Sequence, residues 1–148
     1  MQIATDKFGI IEVDEETIFT FVKPIIGFDE DTQYIIVEYD EHSPFKWLQS
    51  VTNKSLAFPV AFANTFNIDY TFTLSDEDAE TVELENVDDL LVLNIVTIPT
   101  AHPENATMNL LSPIVMNFAT KKAMQSILCN SNFSSRHPLF PEHATIEV

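Results

Sequence analysis

Leu90-Leu91-Val92-Leu93-Asn94-Ile95-Val96-Thr97-Ile98-Pro99 is the stretch that decides the fold. It opens on four successive apolar residues, stays nearly all apolar to Ile98, and stops at a proline. A run of this length with apolar residues on both alternating positions reads as a strand buried on both faces, at the centre of a sheet. Pro99 has no amide hydrogen and ends it.

The segments on either side carry the same signature. Ile10-Ile11-Glu12-Val13 and Thr17-Ile18-Phe19-Thr20-Phe21-Val22 are rich in β-branched and aromatic residues, as is Tyr34-Ile35-Ile36-Val37-Glu38-Tyr39 beyond the acidic turn Asp29-Glu30-Asp31. In the stretch from Phe45 to Val51, alternation sets Phe45, Trp47, Gln49 and Val51 on one face. Leu56-Ala57-Phe58-Pro59-Val60 is short, and its proline predicts an edge strand or a bulge. Met108 to Leu111 and Ile114 to Met116, split by Pro113, are further strands, and Met124 to Leu128 is the last. Helix signals are few. Ser75 followed by Asp76-Glu77-Asp78 is an N-cap with acids in the first turn, which predicts a short helix over about 76–80. A second helical turn is placed near Asn64 to Asn67. Many short strands with turn signals between them give an all-β barrel or sandwich, in one domain spanning residues 1–148.

Composition bounds the function. The chain has 148 residues, 23 Asp+Glu against 7 Lys+Arg, and a formal charge of −16. A domain of this size buries roughly 70% of its unfolded surface, so the 45% hydrophobic content and 12 Phe can form a true core. The excess acid disfavours direct binding to nucleic acid or to an anionic membrane surface, both of which need Lys and Arg. Two glycines, Gly9 and Gly27, are too few for a dinucleotide or phosphate loop. No apolar run approaches the ~20 residues that span a bilayer, and no leader pattern precedes Asp6. The expected location is the cytoplasm. The sequons at Asn53, Asn105 and Asn132 are read as chance.

The chemistry-bearing residues make no recognisable catalytic pattern. His42, His102, His137 and His143 show no metal-ligand spacing, and the single Cys129 excludes a disulfide framework. Cys129 ends an apolar stretch and is expected to be buried. The run from Asp76 departs from a calcium loop, with Thr81 in place of the turn glycine and Val87 in place of the bidentate glutamate. No nucleophile elbow is present. The expectation is therefore no catalytic residue, no cofactor and no metal.

Two features stand out instead. Asp76, Glu77, Asp78, Glu80, Glu83, Glu85, Asp88 and Asp89 crowd one short segment, a surface that is either merely solvated or attracts a basic partner. Arg136, the only arginine, is expected to clamp the C-terminal segment to an acidic residue of the body, with a partner contact as the alternative.

Read in order, several segments resemble a known family. Ser43-Pro44-Phe45-Lys46-Trp47-Leu48-Gln49-Ser50-Val51 is similar to the SPFxWLQS segment of the flagellar assembly factor FliW family, and Leu74-Ser75-Asp76-Glu77-Asp78 to its LSDED helix start. Leu91 to Pro99 resembles its VLNIVTIP strand, and the stretch from Thr107 to Asn117 its TVNLLAPIVIN segment. Ser135-Arg136-His137-Pro138-Leu139 resembles its closing TRHPL. The resemblance covers roughly residues 8–140 and leaves 141–148 as a tail. Pro24-Ile25-Ile26-Gly27-Phe28-Asp29 lacks the first glycine of the family's GIPGFE, and Cys129-Asn130-Ser131-Asn132 replaces a more acidic stretch.

This resemblance implies an all-β, small antiparallel barrel-like domain with one or two short helices and no enzymatic activity. It implies two protein partners. One is CsrA, a basic dimeric RNA-binding regulator that represses translation of flagellin messenger RNA; the other is flagellin. Partner exchange then makes a switch. On this reading Asp76, Glu77, Asp78, Glu80, Glu83 and Glu85 face CsrA or its RNA. An apolar groove that includes Phe62 and Phe66 receives flagellin, and Arg136 and His137 of the closing motif are further contacts. The competing readings are a β-barrel hydrolase or metal-dependent enzyme, and a generic acidic decoy of basic proteins.

Overall fold

In the computed structural model, which describes residues 1–129 and 131–141, the decisive stretch is the hub of a closed barrel. Strands β3 (Phe19–Lys23), β4 (Gln33–Val37), β5 (Lys46–Ser50), β6 (Ala57–Ala61), β7 (Leu90–Thr97), β9 (Ile114–Asn117) and β10 (Lys122–Gln125) form its wall. Their order is β7-β6-β5-β4-β3-β10-β9, and β9 returns to pair with the first half of β7 from Leu90↔Asn117 to Leu93↔Ile114. The second half of β7 pairs with β6 on one side and with β8 (Thr107–Met108) on the other. β7 is therefore long enough to serve three neighbours, which is why its sequence is apolar on both faces. The β10–β3 pairing is parallel; the other pairings are antiparallel. β11 (His137–Pro138) extends the sheet beyond β8. A separate hairpin, β1 (Gln2–Thr5) with β2 (Gly9–Glu12), covers the outside of the barrel.

A seven-stranded barrel is narrow, and its interior is filled by side chains rather than left as a pore. Phe19, Phe21, Tyr34, Leu48, Val60, Leu93, Ile114, Met116 and Ala123 form that interior, all at most 2% exposed. Ile35 points the other way, into the cluster beneath the β1–β2 hairpin with Ile3 and Val13. Both faces of β4 are thus buried, and strict polar–apolar alternation is lost. The face predicted for Trp47, Gln49 and Val51 lies outside the barrel; Leu48 takes the inside position. Gln49 is fully buried there, donating from Nε2 to the carbonyls of Ser50 at 3.0 Å and Leu56 at 3.1 Å.

Two expectations are corrected. The proline-containing strand is not at an edge: β6 lies between β5 and β7. The Ser50 amide donates to the Leu56 carbonyl at 2.9 Å, which fixes the alternation of the β5–β6 ladder. Leu48↔Phe58 and Lys46↔Val60 are then bonded pairs, and Trp47↔Pro59 is a non-bonded pair. The proline nitrogen faces the other side, where β7 pairing begins only at Val60. No ladder bond is lost. Cys129 is exposed, not buried. The apolar pattern that suggested burial ends with β10 at Gln125, and Ile127 is itself 53% exposed.

The connection from Phe62 to Asp89 carries the helices. A 3₁₀ turn covers Ala63–Phe66, α1 covers Asp76–Thr81, and a second 3₁₀ turn covers Val87–Asp89. Ser75 Oγ accepts from the Asp78 amide at 3.1 Å, the N-cap read from the sequence. The helix ends with Glu83 in the left-handed region (φ 54°), the Glu83 amide donating to Glu80 O and the Leu84 amide to Ala79 O. That bonding pattern is a Schellman motif, with Glu83 where glycine is usual and Leu84 folded back over Ala79. The expected span of 76–80 is one residue short. Among the described residues no helix is long and apolar enough to cross a membrane. Glu142, His143 and Glu147 of the tail lie outside the described residues.

Candidate functional site

The outer face of β7 is not covered by another strand along its first half. Leu91 and Leu93 point into the barrel, so Leu90, Val92 and Asn94 point outward. The 62–89 connection arches over them and leaves a groove of about 720 Å³. Phe62, Ile68 and Tyr70 wall one side; Ala79, Leu84 and Val87, all from the acidic segment, wall the other. Val87 is 73% exposed although it sits beside Asp88 and Asp89, an apolar side chain displayed within a charged run.

Polar clips hold the groove open. Asn94 Nδ2 donates to Asn109 O at 2.9 Å and to Tyr70 Oη at 3.2 Å, and Tyr70 Oη donates to Leu110 O at 2.6 Å. The Tyr70 ring packs against Phe72 and Phe133 with centroids 5.2 and 4.7 Å away. Burial raises the Tyr70 pKa, and the Asn94 hydrogen bond partly opposes that. Asn94 Oδ1 is buried without a donor among the described residues. On the other wall, Asn117 Nδ2 donates to Val82 O at 2.9 Å and Glu83 O at 3.1 Å, and Ser126 Oγ donates to Asp78 at 2.6 Å.

The acids named from sequence do not form one uniform surface. Asp76, Glu77, Glu80 and Glu85 are exposed. Glu77 has a long ion pair with Lys23 at 3.9 Å, with both side chains solvated, so its energetic contribution is small. Asp78 is half-buried and committed to Ser126, and Glu83 closes the helix from the position after its C-cap and is ion-paired with Lys122. The negative charge facing solvent is therefore carried by Asp76, Glu80, Glu85 and Asp88, and by Glu77 with its long pair to Lys23.

The two phenylalanines are separated. Phe62 lines the groove. Phe66 packs in a second apolar cluster, 5.7 Å from the Phe45 ring and 5.8 Å from Phe140, and borders instead a hollow of about 450 Å³ shared with His137. His137 is half-buried and opposite Met108 in the β8–β11 pairing. The clamp expected of Arg136 is not found: its side chain is exposed, and no carboxylate of a described residue lies within 4 Å. Position explains this, because β11 docks on β8, on the far side of the second half of β7 from the acidic segment.

The sequence reading missed Ile68, Tyr70, Val87 and Asn94. Asn94 did carry a signal, as the one amide in the apolar stretch Leu90 to Val96. A buried amide inside such a strand has to hold something. Among the described residues no three His, Cys, Asp or Glu side chains converge as metal ligands.

Comparison with known proteins agrees with this architecture. The family model described as FliW protein matches residues 2–139. The flagellar assembly factor FliW of Bacillus subtilis (strain 168) is 39% identical over 140 residues, covering 94% of this chain and 96% of that one. That of Caldanaerobacter subterraneus subsp. tengcongensis is 38% identical over 143 residues, covering 96% of this chain and 95% of that one. A crystal structure of the flagellar assembly factor FliW superimposes with a TM-score of 0.88 at 32% identity, over 96% of this chain and 99% of the other.

Proposed function

The chain belongs to the FliW family of flagellar assembly factors, and from that premise we propose that it works in the cytoplasm by holding two proteins in turn rather than by catalysing a reaction. The partners are CsrA and flagellin. CsrA is basic and meets the exposed acids Asp76, Glu77, Glu80 and Glu85. Bound there, a protein of charge −16 repels the phosphates of an incoming messenger RNA without occupying the RNA site. Screening within about 8 Å at physiological ionic strength requires those acids to lie near the RNA path. Flagellin offers amphipathic terminal segments, whose apolar stripe fits the groove beside Phe62.

The observation that carries this reading is that the two surfaces share a wall. Ala79, Leu84 and Val87 belong to the acidic segment and also line the Phe62 groove. A partner seated on the acids and one seated in the groove would overlap, so each displaces the other. Arg136, exposed and with no carboxylate of a described residue beside it, is assigned a contact with an acidic group of a partner, with His137 next to it on β11.

Calorimetric titration with CsrA at low and high salt, repeated with flagellin present, tests this. The expected result is tight binding that survives the higher salt and disappears when flagellin is added. Converting Asp76, Glu77, Glu80 and Glu85 to amides should weaken CsrA, and Phe62→Ser should weaken flagellin. Phe66→Ser should lower stability before it touches either affinity. A ternary complex with both partners bound would overturn the shared wall. Binding that collapses with modest salt and ignores partner identity would favour a generic acidic decoy instead.

A further inference from the structure

The opposite charge gathers at a different place. At one end of the barrel, the strands leave a mouth of about 620 Å³ whose floor is Phe19, Leu91, Leu93 and Phe62. Each of these is an inward-facing residue of its strand or just beyond it, so the mouth is the open end of the barrel core rather than a surface crease. Two of the seven basic residues of this acidic chain, Lys46 and Lys121, stand on its rim. Lys46 is neutralised by Glu38 at 2.9 Å. Lys121 has no carboxylate within 4 Å among the described residues. Its ammonium donates to Phe118 O at 2.7 Å and lies 4.7 and 5.3 Å from the centroids of Phe118 and Phe19. An ammonium carries three donors, so two remain. Phe118, beside it, is 47% exposed.

Lys121 also sits in the left-handed region, with φ 58°, in the turn between β9 and β10. A glycine would fill that position without strain. A side chain kept there against the local preference, with its charge poised over an apolar opening, is the kind of outlier that marks a site.

We infer that the barrel mouth binds the carboxylate of a small apolar monoanion, with its hydrocarbon body on Phe19, Leu91 and Leu93 and its charge on Lys121. One unpaired ammonium matches one negative charge. A polyphosphate would face the field of the whole chain with too few cations to offset it. The site is separate from the acidic groove on the outside of β7, though Phe62 lines both, so the ligand can be assayed with no other protein present.

Octanoate is the probe, with octanol as its uncharged counterpart, followed by NMR of the Leu91 and Leu93 methyl groups and the Phe118 ring. Octanoate should shift these signals saturably, and octanol should bind about tenfold more weakly, as expected for loss of one charge-assisted hydrogen bond. Lys121→Gly should also lose about tenfold in octanoate affinity while its Tm stays equal or rises, because glycine relieves the left-handed backbone; Lys121→Arg should retain binding. Equal binding of octanoate and octanol, full affinity in Lys121→Gly, or no shift at these residues would overturn the assignment.

Discussion

The barrel wall and the connection from Phe62 to Asp89 are held by different forces. In the wall, each strand is bonded on both sides and packs side chains at most 2% exposed into a common interior. The connection has one helix of six residues and two 3₁₀ turns, too short to persist alone. It is tied to the wall by a few side chains: Asn117 to the Val82 and Glu83 carbonyls, Ser126 to Asp78, and the Asn94–Tyr70–Leu110 chain. Val82 is its buried apolar anchor, packed with Val115 and Met124. The exposed acids thus ride on the less redundant part of the molecule. The groove's outer wall is thus held by scattered side-chain bonds, and the barrel by a ladder closed on itself.

The largest effect should come from breaking the wall at its hub. Leu93 is fully buried between the pairings of β7 with β6 and β9. Leu93→Ala should cost about 3 kcal/mol, combining lost transfer energy with the cavity left behind. The loss should register equally in denaturant melts followed through the barrel aromatics and through hydrogen exchange of 82–85. If the two regions melted apart, the connection would be independent of the barrel rather than supported by it.

A smaller and more local loss is expected at Asn117. Its side chain is 1% exposed, holds Val82 O and Glu83 O, and accepts from the Ala119 amide at 2.9 Å. Asn117→Ala leaves Glu83 O without its side-chain donor and Val82 O with Thr120 Oγ1 alone at 3.0 Å, and should cost about 2 kcal/mol. The distinguishing readout is hydrogen exchange, which should rise at 82–85 more than in β4 or β5. A uniform rise would mean that Asn117 acts as an ordinary wall residue.

The contrast also explains which parts of the structure were legible in the sequence. The strands were, because burial in a closed barrel imposes β-branched and aromatic runs, and Leu90 to Ile98 could be placed at the centre. The Ser75 cap was legible because capping depends on near neighbours. Pro59 reads as marking an edge or a bulge, and neither is present, because the ladder phase that makes it harmless depends on where β7 begins. The isolated acids were visible as composition, but Asp78 and Glu83 are committed to Ser126 and Lys122, which lie 48 and 39 positions away. Pairings at that separation leave no local pattern. The family resemblance supplied what composition could not, the identity of the proteins proposed to meet this surface. Phe62 and Phe66 looked equivalent at spacing four, yet a 3₁₀ turn between them sends one to the groove and the other to the Phe45–Phe140 cluster.

The smallest effect at neutral pH, and the sharpest test of how dry the wall is, concerns Tyr34. Its ring packs 5.0 Å from Phe21 and 6.2 Å from Phe58, and its buried hydroxyl has no partner among the described residues. Burial, reinforced by the charge of Asp31, pushes its pKa far above the ordinary phenol value. In the unfolded chain the phenol ionises near ~10. The folded state therefore retains the proton where the unfolded state releases it. Stability from this group is complete below pH ~10 and is lost progressively as pH rises beyond it. Tyr34→Phe removes a hydroxyl that bonds to no described residue, so its stability at about pH 8 should match or exceed the parent by up to ~1 kcal/mol. At about pH 11 the variant should hold a larger margin over the parent, because one ionisation has been removed from the unfolded state. Tyr70, whose pKa burial also raises, still titrates, so the alkaline slope should fall but not vanish. Parallel loss of Tm in parent and variant between those two pH values would mean that water reaches the Tyr34 hydroxyl, and that the interior of the barrel is wetter than its packing.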